Sequence, residues 1–474
     1  MLGPHVRRIT TRSSLRRFST AQPDIKTTLK SVIPRRVELY QDVKKNLSSK
    51  KIGDVTVGGT IGGMRGYSAL LWEASSVDAE KGVTFHGHTI EECQGFLPKQ
   101  HDEVNDSKSE FLPESMFWFL LTGEKPSQEQ IDTFSSDLVA NSELPDYLIK
   151  LLDSLPSRTM HPMTQLSIAI SALNHDSVFA SAYSKGIPKT EYWEYVLEDS
   201  LNLIAKLPTI IGRIYANTYH NGEQLGQIDF SKDWSYNMAQ QMGFTSDSKN
   251  VNGLSGEQSK DFVNLVRLYC ALHGDHEGGN VSAHSTHLVG SALSDPFLSY
   301  SAGVQGLAGP LHGLAAQEVV RFILEMKSGI GGDIGNKEKI EKHLWSLLNS
   351  KRVVPGYGHG VLRKPDPRFK AMIDFGLKRP EEFDNDDNFQ LVKNLSHIAP
   401  GVLTEHGKTK NPFPNVDSSS GVLFLHYGLK ELLFITVIFG GSRSLGPLAQ
   451  LVWDRIYGLP IERPKSVTLE MLKR

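Results

Sequence analysis

The chain has 474 residues, 39% apolar and 22% charged, with a net charge of −2. That length exceeds one compact core and fits two or more lobes, and the near-neutral charge gives no reason to expect nucleic acid as a partner. Two cysteines, Cys93 and Cys270, are too few for a disulfide framework or a cysteine-rich zinc site.

The first 18 residues hold Arg7, Arg8, Arg12, Arg16 and Arg17, with Ser and Thr between them, and no acid precedes Asp24. An Arg- and Ser-rich, acid-poor start is the composition of an organelle transit peptide. Cleavage is expected after Phe18; it removes five arginines and no acid, moving the net charge from −2 to −7. Residues 52–57 and 81–86 alternate enough for short strands. Residues 116–121 form a continuous apolar run that reads as buried helix. Leu201, Ile204, Leu207, Ile211 and Ile214 recur at helical spacing, with Pro208 expected to bend or interrupt that helix. Val319, Val320, Ile323 and Leu324 repeat the pattern after residue 312, and 431–439 is a second buried run. The longest apolar stretch, Leu432 to Gly441, is well short of the roughly 18 residues that span a bilayer. Polar breaks at 98–110, 246–261 and 379–388 read as surface loops. The predicted fold class is all-α.

Four segments concentrate Gly, His, Arg and Asp beyond what helix packing needs: His273–His287, Gly306–Gly313, Val353–Phe369 and Lys408–Gly421. Two more, Gly440–Leu445 and Ile461–Ser466, add arginines. His276-Glu277 begins like HExxH, but Asn280 stands where the second ligand belongs, so no metal is expected. His284 and His287 share one helix face and read as packing histidines before any direct role. Gly58, Gly59, Gly62, Gly63 and Gly66 lead to Met64 and Arg65 without a Walker lysine. Gly356, Gly358 and Gly360 are followed by Val361, which breaks the dinucleotide pattern.

Pro310-Leu311-His312-Gly313 precedes a helical pattern, which places His312 at a helix N-terminus. There the dipole disfavours protonation and leaves a neutral imidazole able to donate. His359 lies between Gly358 and Gly360, and Asp417 stands before three serines as a candidate base. Arg368, Arg443 and Arg463 offer planar forks for carboxylates. Together these groups suit enolisation of one substrate and attack on the carbonyl of a dicarboxylate.

At HGDHEGGNVSAH, LAGPLHGL, VVPGYGH, RKPDPRF, GKTKNPFPNVD and IERPKS the chain resembles the citrate synthase family, in order and approximate spacing, over nearly everything after residue 25. The resemblance implies a homodimer of almost all-α subunits and a cleft that closes on oxaloacetate. It implies a large domain of 19–311 and 421–474, a small domain of 312–420, and a transit peptide of 1–18 that directs the chain to the mitochondrial matrix. By motif, Asp417 matches the base, His312 the residue that stabilises the enol, and His359 the one that polarises the oxaloacetate carbonyl. His276, His359, Arg368 and Arg443 match oxaloacetate ligands, and Arg463 one supplied by the partner subunit. For CoA the matches are Arg65, Leu311, Val354, Gly356, Tyr357, Arg363, Thr409, Lys410 and Asn415, with Lys189 where many relatives place Arg. No cofactor is implied beyond the CoA thioester, which is a substrate. Gly360, Ser418-Ser419-Ser420 and Leu423–Tyr427 depart from the usual GYGHA, VDAHSG and LLQYYG. In these details the chain is more similar to the fungal mitochondrial 2-methylcitrate synthases, which take propionyl-CoA as well as acetyl-CoA. An ordinary citrate synthase using acetyl-CoA alone is the alternative. Loss of a methyl at Gly360 and of a ring at Ser419 is the expected source of room for the extra methylene.

Overall fold

The computed structural model describes residues 22–473, so the expected transit peptide lies outside the described residues. Among them the chain is helical, apart from one antiparallel hairpin, Ser75–Asp78 against Gly82–Phe85. The second strand falls inside the expected 81–86. The expected strand at 52–57 is absent: a short helix, Val57–Ile61, begins at its end, with Thr56 as its cap.

The two apolar runs are buried helices. Every residue of Pro113–Thr122 is buried, and Leu432–Ser442 is buried from Phe434 on. A helix apolar on all sides has no face for water and goes to the interior. The second run continues past Arg443 through the helix Leu445–Tyr457, so the apolar stretch reaches 26 residues rather than ending at Gly441. It has the length and composition of a membrane span, but 89% of its most apolar window is buried inside the molecule.

The helix Tyr192–Tyr219 runs unbroken through Pro208. Proline removes one N–H, which leaves the Ile204 carbonyl without its usual donor four residues on. Trp234 Nε1 donates to that carbonyl at 2.7 Å, so the interior of the protein supplies the missing bond. Two expected loops are shorter than predicted for a related reason. The helix Gly256–His273 starts within 246–261, capped by a reciprocal Ser255–Gln258 pair, and Asp386 caps the helix Asp387–His406. The polar residues that read as loop are helix caps. The stretch 98–110 is irregular apart from a short turn at His101–Glu103.

The candidate residues lie at ends of helices. His276 follows the helix Gly256–His273, and the next helix, Val281–Ser291, is capped by Asn280. His312 occupies the turn between the helices Pro296–Leu307 and Ala315–Gly329. Arg368 is in the first turn of Pro367–Leu377, Asp417 opens Asp417–His426, and Arg443 sits at the break between Leu432–Ser442 and Leu445–Tyr457.

The other end of the Asp417 helix carries a second ionic junction. His426 Nδ1 lies 2.7 Å from Asp386 and Nε2 lies 3.0 Å from Glu382, which also accepts from Gln258. Phe383 and Tyr427 cover the ring. Burial works against the charged imidazole, but the two carboxylates outweigh it and raise the pKa above 6.5. A raised histidine pKa contributes stability that is complete below the unfolded value and disappears as pH rises through the folded one. As pH rises above the ordinary histidine value of about 6.5, the wild type should therefore lose stability faster than His426→Gln, read as denaturant midpoints. Parallel curves would remove this junction from the stability balance.

Candidate active site

Arg443 is the most enclosed charge in the group, at 1% exposure. Its Nε donates to the His273 carbonyl at 2.8 Å, its guanidinium lies 4.9 Å from the Phe439 ring, and its Nη1 has no hydrogen-bond partner. Burial, the main cause, lowers its pKa to about 10, and the charge of Arg368 adds to the shift. Asp275 is the nearby counter-charge. Trp72 Nε1 and Ser75 Oγ donate to its Oδ2 at 3.0 and 2.7 Å, while Oδ1 has no hydrogen-bond partner. Gly446 packs directly on this carboxylate; a Cβ there would overlap its carbon, so only glycine fits.

The turn that holds His276 is fixed from both sides. Ser75 Oγ accepts from the Glu277 N–H at 2.8 Å, and Asn280 Nδ2 donates to the carbonyls of His276 and Glu277. These bonds hold Glu277 at φ +52°, a conformation that ordinary residues rarely adopt. The His276 ring sits 5.5 Å from that of His359, with its Nε2 buried and unpartnered. Burial first, then the positive charge of Arg368, pushes His276 well below the usual histidine range.

His312 and His359 are each held in one tautomer. The Ser282 backbone N–H, which can only donate, meets His312 Nε2 at 3.3 Å, so Nε2 accepts and the ring proton sits on Nδ1. The Ser282 hydroxyl lies 2.8 Å from the same nitrogen and 2.9 Å from Asn280 Oδ1. For His359 the roles reverse. Nδ1 accepts from the N–H groups of Val361 and Leu362, both at 3.0 Å, which leaves the proton on Nε2. Burial is the first cause that lowers both, to about 3 for His312 and about 4 for His359, with Arg443 and Arg368 respectively next. The helix after His312 starts only at Ala315. The expected neutral imidazole is present, but burial and a neighbouring guanidinium produce it rather than the helix dipole.

Asp417 completes the group. Burial raises its carboxyl to about 6 and the charge of Asp366 adds to that, against the pull of Arg368 and Arg443. Arg368 is gripped by Asp366 through a two-bonded fork, Nε to Oδ1 at 3.1 Å and Nη2 to Oδ2 at 2.7 Å. Burial opposes the Asp366 charge, yet that pair holds its pKa below the usual carboxylate range. A carboxyl poised near neutrality, two neutral imidazoles with defined donors, and a buried guanidinium nitrogen without an acceptor suit proton transfer beside an anionic ligand.

The structure thus brings His276, His312, His359, Arg368, Asp417 and Arg443 together. Beside them, the turn of Val354, Gly356 and Tyr357 is laced to the loop before Asp417. Asn415 N–H donates to the Gly356 carbonyl at 2.9 Å, Asn415 Nδ2 to the Gly358 carbonyl at 3.1 Å, and Tyr357 pairs with Pro414. Gly356 has φ +81° and a Cβ there would lie 2.6 Å from Ser418 Oγ. Leu311 is fully exposed, Thr409 is half-buried, Lys410 is exposed, and Arg363 Nη1 donates to the carbonyls of Val361 and Leu362. Arg65, Lys189 and Arg463 are exposed, and no hydrogen bond or ion pair of theirs reaches this group. A Cβ on Gly360 would meet nothing within 4 Å, whereas Ser419 is buried at 1% exposure.

Sequence reading misses Ser282, Asp275 with Trp72 and Ser75, and Phe439, whose ring lies 5.0 Å from His273 and 6.1 Å from His312. Asp366 is visible in RKPDPRF, yet its hold on Arg368 is not. No cluster suited to a metal ion occurs among the described residues.

The family model for citrate synthase, C-terminal domain, matches residues 63–465. A 2-methylcitrate synthase, mitochondrial, of Gibberella moniliformis is 56% identical, over 97% of this chain and 93% of its own length. A citrate synthase, mitochondrial, of Emericella nidulans is 50% identical, over 97% of this chain and 92% of its own length. In fold, the citrate synthase of Pyrobaculum aerophilum superposes with a TM-score of 0.71 at 24% identity, covering 89% of this chain and 95% of its own.

Ser282→Ala removes the hydroxyl at His312 and keeps the backbone donor. In ¹⁵N spectra of labelled histidine, wild-type His312 should show a protonated Nδ1, and the variant a rising share of the other tautomer. An unchanged tautomer ratio would confine control to the backbone N–H.

Proposed function

The chain belongs to the citrate synthase family, and from that membership we propose that this transferase condenses propionyl-CoA, and acetyl-CoA as a second substrate, with oxaloacetate. Asp417, with a pKa of about 6, takes a proton from the α-carbon of the acyl-CoA. A base with that pKa is ionised at neutral pH and still basic enough to accept. His312, neutral and protonated on Nδ1, donates to the thioester oxygen and stabilises the enol. His359 donates from Nε2 to the ketone of oxaloacetate and makes its carbon electrophilic. His276, Arg368 and Arg443 hold the two carboxylates. The enol carbon then attacks the ketone, and water cleaves the thioester of the product to release CoA. The observation that carries this reading is the opposite fixing of two neutral histidines beside one near-neutral carboxyl.

CoA lies along the Val354–Tyr357 turn and Asn415, with Arg65, Lys189, Leu311, Arg363, Thr409 and Lys410 as its outer contacts. Residues 312–420 act as the smaller domain against 19–311 and 421–474. The reaction needs no cofactor beyond the CoA thioester. The 2-methylcitrate synthases of Gibberella moniliformis and Aspergillus fumigatus, each 56% identical, support the propionyl assignment over acetyl-CoA alone. Their mitochondrial description, with the Arg-rich residues 1–18, supports the mitochondrial matrix as the site of action. The subunits pair, and Arg463 of each enters the other's site. Its exposure and that of Ile461, Val467, Leu469 and Met471 support a tail that lies on a second copy.

Thiol release from propionyl-CoA and acetyl-CoA, each with oxaloacetate, tests the assignment on protein starting at Ser19. Comparable turnover with both is expected; release from acetyl-CoA alone would make the chain an ordinary citrate synthase. Protonation removes the base, so kcat/KM should fall about tenfold per unit below about pH 6, and Asp417→Asn should cost about 10²–10⁴-fold in kcat.

The propionyl to acetyl ratio should be lower in Gly360→Ala and in Ser419→His. One methylene corresponds to about 1–3 kcal/mol, or about 10–200-fold. An unchanged ratio in a folded Ser419→His would remove Ser419 as the source of room.

A further inference from the structure

Arg463 follows directly on the residue by which the tail is tied to the body. From Pro460 to Ser466 the chain has no regular structure, and Arg463 to Ser466 are exposed. Among the described residues after Leu459, only Glu462 is hydrogen-bonded to another element. Its N–H donates to Ser291 Oγ at 3.0 Å, and its Oε1 lies 2.9 Å from His284 Nε2. Its other oxygen is buried, lacks a hydrogen bond, and faces His287 Nε2 at 3.7 Å. His287 Nδ1 is in turn 2.8 Å from Asp454, which also accepts from Gln450 at 2.9 Å. Burial opposes charge on His287, but Asp454 and Glu462 outweigh it and raise its pKa, which suits an imidazolium between two carboxylates.

His284 and His287 are three residues apart on the helix Val281–Ser291 and so share one face. The same helix begins beside Ser282, which fixes His312. Packing alone does not require two histidines to converge on the carboxylate that precedes an arginine.

We propose that His284, His287 and Glu462 form a clamp that positions Arg463 for the partner subunit's active site. The inference rests on the reading that Arg463 acts in the other subunit. One helix then serves two sites: its first turn sets the tautomer of its own His312, and its outer face sets where the tail departs for the neighbour. Glu462 is a positioning residue and touches no substrate.

The test uses the dimeric enzyme starting at Ser19. Glu462→Ala should raise KM for oxaloacetate about tenfold, since a small displacement of a positioned group is costly. KM for acyl-CoA and the dimer mass by light scattering should stay as in the wild type, and Glu462→Gln, which keeps an acceptor oxygen, should recover most of the loss. Mixed dimers of Glu462→Ala with Asp417→Asn separate positioning from local damage. Their one competent site belongs to the Glu462→Ala chain and receives its Arg463 from an intact tail, so its KM should return to the wild-type value. A KM that stays high in that mixed dimer would overturn the clamp, because the lesion would lie within its own subunit. Arg463→Ala, measured alongside, checks the underlying reading. A raised KM there with a normal KM in Glu462→Ala would refute the clamp alone, and normal values in both would refute the reading with it. Should Glu462→Ala fail to dimerise, His284→Leu carries the same expectation, and a wild-type KM in that variant would overturn the proposal.

Discussion

A guanidinium buried at 1% exposure with an unpaired nitrogen sets the terms for the rest of the site. Arg443 cannot reach water, and a buried donor without an acceptor costs about 1–3 kcal/mol, more when charged. An anionic ligand removes that cost on binding, so the site is preorganised for negative charge. After burial, the same cation is the next cause of the depressed pKa of His312, and it contributes to that of His276. With Arg368, it pulls Asp417 down against burial, which leaves the carboxyl at about 6. Burial and the charges of Arg443 and Arg368 together thus keep the imidazoles neutral and the base usable.

Neutrality alone does not make a histidine a donor in the right direction. Ser282 occupies Nε2 of His312, and two backbone N–H groups occupy Nδ1 of His359. Backbone donors are well suited to this because they cannot turn round and accept. The sequence segments follow from that need: GHGVL closes the His359 turn on itself, and GGNVSAH starts a helix whose second residue faces His312. Helix ends gather the functional groups because free N–H groups and sharp changes of chain direction occur there together.

The all-α class is legible from periodicity, and the two apolar runs read correctly as interior helices. Pro208 misleads because its compensation, Trp234, lies outside the local pattern. Polar stretches read as loops where Ser255 and Asp386 cap helices, since a cap and a loop share the same residue types. In the site, His276, His312, His359, Arg368, Asp417 and Arg443 stand out because Gly and Pro surround them in compact motifs. Ser282, Asp275 and Phe439 do not, because a serine, a single aspartate and a phenylalanine carry their role only through distance. His284 and His287 show the same limit: their spacing marks a common face, but not the carboxylates of Asp454 and Glu462 that meet it.

Charge balance favours the proposed third arginine from outside the subunit. Arg368 is already paired in a fork with Asp366, so it offers a dicarboxylate only its remaining N–H groups. Arg443 has Asp275 as a nearby counter-charge, and Asp417 must be ionised to act as base. Two incoming carboxylates would then face two guanidiniums whose charge is already shared with aspartates. Binding under those terms would raise the pKa of Asp417 further and keep it protonated at neutral pH. A guanidinium arriving with the substrate corrects both problems at once, because it holds a carboxylate and restores positive potential at the base. The proposed entry of Arg463 from the partner meets that requirement without burying a third unpaired cation in each empty site, which would cost far more stability than a surface tail held by Glu462.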